Sequence, residues 1–275
     1  MFRINHNVMS INARRMLARS DREVGRAVER LSSGLRINRA ADDAAGLFVS
    51  ESMRAQIQGL QQAGRNVSNA ITLLQTAEGG MEQVANMLIR LKELAIASAD
   101  GTYKAADRAA IQREADALLQ ELDRIAQSTT FNGMSLLEGT QFTFQVHDTG
   151  SNLSQIGISI GPVTTGVILP GVVSSNWGFQ TTAIAVIDSI EQGIVSVASV
   201  RTQIGAAQNR LERTLLNLQT IVENTTRALS VIRDADFAAE TAALTRALIL
   251  VQAGTSVLNQ ANLLPQNALS LVQVF

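Results

Sequence analysis

The chain has no cysteine, which excludes disulfide staples and thiolate chemistry. That absence does not fix a compartment, but it suits a protein that crosses a redox boundary unfolded. Its two histidines, His6 and His147, lie far apart in sequence, each without nearby ligand spacing. There is no HExxH, no GxSxG and no P-loop. The carboxylate pairs Asp42-Asp43 and Asp234/Asp236 read as helix caps and turn formers. No catalytic residue, metal or cofactor is expected, so the chain is not read as an enzyme. Aromatics are 4% and there are three prolines in 275 residues. Such a composition favours long helices with small-residue contacts over a compact enzyme core. A net charge of −1 supplies no global field toward nucleic acid or a membrane. The opening MFRINHNVMS lacks an apolar core and a small-residue cleavage site, so no cleaved signal peptide is expected.

What the chain does have is an end without charge. Residues 247–275, ALILVQAGTSVLNQANLLPQNALSLVQVF, contain no Asp, Glu, Lys or Arg. Leu, Ile and Val recur on more than one side of any helix drawn through them. Gln252, Asn259, Gln260, Asn262, Gln266 and Asn267 interrupt the run, and a spanning helix wants roughly 20 mostly apolar residues. No membrane span is predicted. The segment therefore needs cover from the rest of the chain or from other chains.

Residues 1–40 are amphipathic, with Ile4, Val8 and Ile11 on one helical face. Their nine arginines against three acids place Arg15, Arg19, Arg22, Arg26 and Arg30 in one stripe. No aromatics interleave with it, so a solvated or inter-subunit face is expected rather than a nucleic-acid arm. Asp42-Asp43 can cap a long helix reaching about residue 99, with Met53, Ile57, Leu60, Val67, Ile71, Leu74, Met81, Leu88 and Ala95 as its core side and Gly79-Gly80 as a soft point. A second helix over about 104–128 carries Ile111, Ala115, Leu118, Leu122 and Ile125. Phe131-Asn132-Gly133 marks a turn. The period then changes to two, with Phe142, Phe144 and Val146 followed after a turn by Ile156 and Ile158, predicting a β-hairpin in 141–160. Residues 161–180 read as an extended connector containing Trp177, with a short strand at 167–169. A helix over about 181–232 follows a heptad seam through Ile187, Ile190, Ile194, Val197, Arg201, Ile204, Gln208, Leu211, Leu215 and Leu218. Residues 233–236 break that pattern and cap a last helix, 237–272, which Pro265 should kink or divide.

The predicted fold is mostly α. Long antiparallel coiled-coil helices come from both ends of the chain, with one small β-hairpin insert. Domains are expected at 1–40 with 237–275 (terminal helices, assembly) and at 41–236 (helical bundle). One partner helix covers one face of the last helix, and the remaining apolar faces call for neighbouring copies, hence a polymer.

Several stretches match bacterial flagellins closely: Ile4-Asn5-His6-Asn7, Leu31-Ser32-Ser33-Gly34-Leu35-Arg36-Ile37-Asn38, Ala41-Asp42-Asp43-Ala44-Ala45-Gly46-Leu47, Gln75-Thr76-Ala77-Glu78-Gly79, Ile232-Arg233-Asp234-Ala235-Asp236 and Ala261-Asn262-Leu263-Leu264-Pro265-Gln266-Asn267. The chain resembles a minimal flagellin in which residues 161–180 replace the outer domains. The resemblance implies an extracellular filament subunit for motility, exported unfolded by a type III apparatus without a cleaved signal and added at the distal tip. Its implied partners are other copies of itself, an export chaperone, and filament cap and hook-junction proteins. Polymerisation and channel lining would fall to Ile4, Val8, Ile11, Leu248, Val251, Gln252, Leu258, Asn259, Leu263, Gln266, Leu269 and Val272. Protofilament switching would fall to Phe142, Phe144, Val146, Ile156 and Ile158. An animal flagellin-sensing Toll-like receptor is a further implied partner, at Arg90, Leu94 and Glu114; Ile89 departs from the more usual Gln. Two rivals stay open: a hook–filament junction protein, which shares the terminal helices, and a non-polymeric secreted coiled-coil protein.

Overall fold

The computed structural model describes residues 6–151, 154–172 and 180–272; the side chains of 180, 181 and 264–272 fall outside the description. Ile4, Trp177 and the later part of the expected connector also lie outside the described residues, as do the side chains of Gln266, Leu269 and Val272.

Helix α1 (Val8–Ser33) begins where the Asn7 side chain accepts a hydrogen bond from the Ser10 amide at 3.0 Å, satisfying one of the orphan donors of a first helical turn. It ends at Gly34, whose φ of 71° closes its N–H onto the Arg30 carbonyl, a left-handed cap that glycine adopts without steric cost. In the following connector the Asp42 carboxylate accepts from the amides of Asn38 and Arg39 at 3.2 and 3.1 Å. These bonds hold its pKa below the ordinary aspartate range, with Arg39 the larger cause. Asp43 then accepts from the Gly46 amide at 2.9 Å and starts α2 (Ala44–Ala99), as its sequence position predicts.

Gly79-Gly80 does not interrupt α2, which runs as one helix of 56 residues. Gly80 is instead a close approach: a Cβ there would sit 2.7 Å from Thr129 Oγ1 and 3.1 Å from Leu137 Cδ1. Two lines at seven-residue spacing are buried along α2. One is Leu60, Val67, Leu74, Met81, Leu88 and Ala95; the other is Ala63, Ala70, Ala77, Val84, Leu91 and Ser98. The first is the line that sequence periodicity marks. The first half of the second is written in alanine, whose hydrophobic signal is weak. Helix α3 (Ala105–Ser128) lies antiparallel to α2, with Arg90 bridging to Glu114 and Arg108 donating to the Asp100 carbonyl.

A second, two-residue hairpin was not expected. β1 (Thr130–Phe131) pairs with β2 (Met134–Ser135) across Asn132 and Gly133. Their φ values of 50° and 77° are those of the Asn-Gly hairpin turn. The expected hairpin is present as β3 (Gln141–Gln145) against β4 (Gln155–Ser159), in antiparallel register with Phe142 opposite Ile158 and Phe144 opposite Ile156. Phe142, Val146, Ile156 and Ile158 are buried, and Phe144 packs on them half-covered.

In place of the expected strand at 167–169, residues Thr165–Ile168 form a short helix, α4. Asp123 of α3 caps it from outside, accepting from the Thr165 amide at 2.8 Å and its hydroxyl at 2.6 Å. Local periodicity over four residues cannot register such a distant cap. The segment is no loose connector, because Ile160, Val163, Ile168, Leu169 and Val172 are buried. Gly193 of the next helix lets it settle: a Cβ there would meet Leu169 at 2.9 Å and the Ile168 carbonyl at 3.0 Å.

Helix α5 (Gln180–Arg233) follows its predicted seam. Ala183, Ile190, Val197, Ile204, Leu211 and Leu218 are buried at seven-residue intervals, and the companion line through Ile187, Ile194, Arg201 and Leu215 is half-covered. It runs antiparallel to α2, with Lys92 bonded to Glu191 and Glu78 to Arg201. Asp236 accepts from the amides of Ala238 and Ala239 and so caps α6 (Phe237–Val272), which continues as one helix through Pro265 rather than dividing there. The backbone forms two compact units, one of residues 1–55 with 224–275 and one of 56–223. Those limits lie further along α2 and earlier in α5 than the limits read from the sequence. The fold class is the predicted one: long antiparallel helices from both ends with a small β insert.

Candidate assembly surface

The terminal unit is built on the antiparallel pair α1 and α6. At one end of the pair Arg30 bonds Glu240 at 2.9 Å. Midway, Leu17 packs over Gly254. At the other end the Asn7 carboxamide donates to the Ala261 carbonyl at 2.7 Å, and the Ser10 hydroxyl donates to the Asn262 side chain at 2.8 Å. Small residues make the seam. Ser10, Ser20 and Ala27 are buried on α1, and Ala247 and Ala261 on α6, with Gly254 midway between these last two at seven-residue spacing. Small side chains bring backbones close but remove little apolar surface from water.

Many large apolar side chains of this unit are left uncovered by the seam. Val8, Met9, Ile11, Met16, Phe237, Leu248, Ile249, Leu250, Val257 and Leu263 are all exposed. Beside the seam runs an open groove of about 940 Å³, walled by Met9, Met16, Leu17, Leu250 and Val257. The unit's buried hydrophobic residues, among those described, are Ala27, Ile37, Ala247 and Ala261. Unit 56–223, by contrast, carries a continuous core of leucine, isoleucine, valine and methionine.

The two connectors of the terminal unit clasp each other. Leu35 and Asp234 form an antiparallel bridge. Arg36 N–H donates to the Arg233 carbonyl at 2.7 Å, and Ala235 N–H to the Gly34 carbonyl at 2.9 Å. The Arg36 guanidinium adds a bond to the Ile232 carbonyl at 2.6 Å, and Arg233 pairs with Glu51 at 2.7 Å. Both matched stretches around these connectors thus meet in one place.

Of the residues marked for polymerisation, Val8, Ile11, Leu248, Gln252, Asn259 and Leu263 are exposed, and Val251 and Leu258 are half-buried. Sequence reasoning missed Met9, Met16, Ile249, Leu250 and Val257, although the charge-free stretch already holds the last three. It also missed Asn7, which no periodicity singles out. The five hairpin residues marked for switching share one face of β3–β4, turned to the core. Arg90 and Glu114 come together on the surface, joined by bonds of 2.7 and 3.0 Å. Glu114 first, then Glu93, raises the Arg90 guanidinium above its ordinary pKa. Leu94 is buried.

By length and hydropathy alone, Thr182–Arg233 and Phe237–Leu263 could cross a membrane, a test that the core helix of a soluble protein also passes. The apolar side of α5 is occupied in the seam with α2, and α6 carries Glu240 and Arg246 in its first part and Gln252, Asn259, Gln260 and Asn262 further on. Among the described residues no group of three or more His, Asp or Glu could hold a metal.

Paired end helices, a separate helical core and uncovered apolar side chains together define a self-assembling structural protein. The bacterial flagellin N-terminal helical region matches residues 4–142 and the flagellin C-terminal helical region matches 187–272. A flagellin of Halalkalibacterium halodurans is 42% identical over 270 residues, spanning 98% of this chain and 99% of that one. A flagellar filament 31.3 kDa core protein of Treponema maltophilum is 39% identical over 98% of this chain and 99% of its own. Flagellin of Bacillus subtilis strain 168 is 38% identical over 98% of this chain and all of its own. The chain belongs to the bacterial flagellin family. It is a structural subunit of the extracellular flagellar filament, and motility follows from the family. A solved structure of a candidate hook-associated protein from Vibrio parahaemolyticus shares 14% identity at a TM-score of 0.58, over 70% of this chain and 99% of that one. That likeness is one of fold alone.

Proposed function

We propose that α1 and α6 form the inner layer of the filament and that neighbouring copies cover the apolar flanks which the pair leaves open. One observation carries this reading: the described part of the terminal unit buries three alanines and one isoleucine as its hydrophobic residues while exposing at least ten larger apolar ones. Ordering a residue costs about 1–2 kcal/mol of backbone entropy, which alanine contacts alone do not offset. Contact with further copies does. The same imbalance suits a chain that is exported unfolded, without a cleaved signal, and whose ends order on joining the distal tip. An export chaperone would shield the charge-free stretch before then, and cap and hook-junction proteins would meet the same surface. The β3–β4 hairpin is assigned to switching between protofilament states, because it joins the core through five side chains on one face. Arg90 and Glu114 are the surface groups a Toll-like receptor would meet; Leu94, being buried, would serve only from within the core.

The test is seeded elongation of the purified chain. Leu258 is half-buried, so Leu258→Asp disturbs the intramolecular pair as well. Ile249→Asp is cleaner, because Ile249 is 61% exposed. It should abolish elongation while the helical content of 56–223 stays unchanged. Elongation at the wild-type rate by Ile249→Asp, or by a chain lacking 247–275, would overturn the reading.

A further inference from the structure

Helix α6 keeps its course through Pro265 although proline has no N–H to give the carbonyl four residues earlier. That carbonyl belongs to Ala261, which is buried, and an unpaired buried carbonyl is costly. Its partner comes from the other end of the chain: Asn7 Nδ2 donates to it at 2.7 Å. The other atom of the same carboxamide, Oδ1, caps α1 by accepting from the Ser10 amide at 3.0 Å. Ser10 in turn donates to Asn262 at 2.8 Å, the residue after the orphaned carbonyl. A single side chain thus starts one helix and completes the broken hydrogen-bond ladder of the other.

The location gives this bond its importance. From residue 247 onward α6 has no charge, so no ion pair can hold it to α1. Arg30–Glu240 and the connector clasp fix the opposite end of the pair. Between the two ends, contact runs through Ala247, Gly254 and Ala261, small groups with no directional preference. The carbonyl freed by Pro265 joins the Ser10–Asn262 bond as a directional feature at the far end, and a side chain with both a donor and an acceptor is needed to use it and cap α1 together.

We propose that Asn7 is the positioning residue of the terminal pair: its carboxamide supplies the hydrogen bond that Pro265 withholds from Ala261, and so closes the far end of α1 onto α6 in the register that polymerisation requires. This rests on the assembly reading above.

The experiment is a mutant cycle on the full-length chain, read as the critical concentration for elongating seeds. Asn7→Ser keeps a good helix cap but is too short to reach Ala261. It should raise the critical concentration about 10-fold, a free-energy change of about 1.4 kcal/mol. Pro265→Ala returns an N–H to the Ala261 carbonyl, so Asn7→Ser in that background should change the critical concentration by no more than about 2-fold. Equal penalties in both backgrounds overturn the proposal, as does the absence of a penalty in the wild-type background. Asn7→Asp decides the matter if Pro265→Ala alone blocks assembly. It keeps the cap and the side-chain length but lacks the amide donor, so it should be impaired at least as much as Asn7→Ser. Wild-type elongation by Asn7→Asp refutes the positioning role. If the wild-type chain itself fails to elongate seeds, the assembly reading fails; if it elongates and the cycle shows no coupling, this inference alone fails.

Discussion

Replacing the adjacent glycines of α2 by alanine, one at a time, should shift stability in opposite directions. A Cβ on Gly79 meets nothing within 4 Å. Gly79→Ala should therefore return the helix-propensity deficit of a mid-helix glycine, about 0.5–1 kcal/mol. A Cβ on Gly80 falls 2.7 Å from Thr129 Oγ1, 3.0 Å from Thr129 Cγ2 and 3.1 Å from Leu137 Cδ1. Neither neighbour is free to yield. Thr129 Oγ1 donates to the Ile125 carbonyl at 2.7 Å, and Leu137 is fully buried. Overpacking of this kind costs about 1–3 kcal/mol, which outweighs the propensity gain. The two variants should differ by about 1–3 kcal/mol, measured by urea unfolding of the monomer with far-ultraviolet circular dichroism. At a slope of about 2–3 kcal/mol per molar urea, their midpoints should separate by roughly 0.3–1.5 M. A Gly80→Ala midpoint raised as far as that of Gly79→Ala would mean that Thr129 and Leu137 move aside freely. The close approach would then not be the reason for glycine there.

Two further outcomes follow from named contacts. Glu78 bonds Arg201 at 3.2 Å within the α2–α5 seam, where Arg201 Nε is buried without a hydrogen-bond partner. Both side chains are about one-third exposed, so Glu78→Leu alone should cost about 1–2 kcal/mol rather than the several of a fully buried pair. The double variant Glu78→Leu with Arg201→Leu should return near wild type in urea unfolding, and additive losses would refute this account of the polar layer. Asp42 has its pKa lowered by the Arg39 and Asn38 amides. Its contribution is therefore present above the unfolded aspartate value of about 3.9 and is lost as pH falls through the lower folded value. The protection factors of the Asn38 and Arg39 amides, taken against intrinsic exchange at each pH, should fall on acidification into that range in the wild type and stay constant in Asp42→Asn.

Long elements with a strong period were legible in the sequence, and elements fixed by a distant residue were not. Ile190, Val197, Ile204, Leu211 and Leu218 announce the α5 seam by spacing and hydrophobicity together. Ala63, Ala70 and Ala77 keep an equally regular spacing, yet alanine suits a core and a surface alike, so the second seam of α2 was hidden. Asn132-Gly133 was visible as a turn, but β1 and β2 are too short to show alternation. Asp123 determines α4 from 42 residues away, which no local window contains. Pro265 carries the expectation of a kinked or divided helix because a helix considered alone has no other donor for Ala261. The donor is Asn7, at a sequence separation of 254. The need for cover over residues 247–275 was plain from composition; the division of that cover between α1 and other copies required the structure.

The sides of α6 can be assigned by turning about 100° per residue. Ala247, Gly254 and Ala261 lie on the side that meets α1. Gln252 and Asn259 fall on the opposite side, and both are exposed, with the exposed Leu248, Ile249 and Leu263 beside them; Gln266 continues the amides' seven-residue line by sequence. Leu250 and Val257 occupy one flank, where they wall the groove beside α1, and Val251 and Leu258 occupy the other, half-covered. Each side imposes a different demand. The seam needs small atoms for close approach. The flanks need large apolar groups, because contact with further copies must offset the ordering that the seam does not. The side opposite α1 must stay wet if it faces a channel, yet a charge there would attract the charges of a passing unfolded chain. Neutral amides hydrogen-bond to water without that long-range attraction. A helix with arginine or glutamate at 252 and 259 would be as soluble, so solubility alone does not explain the amides. The proposed channel lining draws on the exposed amides at 252 and 259; the missing charge, shared by every side of residues 247–275, does not single out that side.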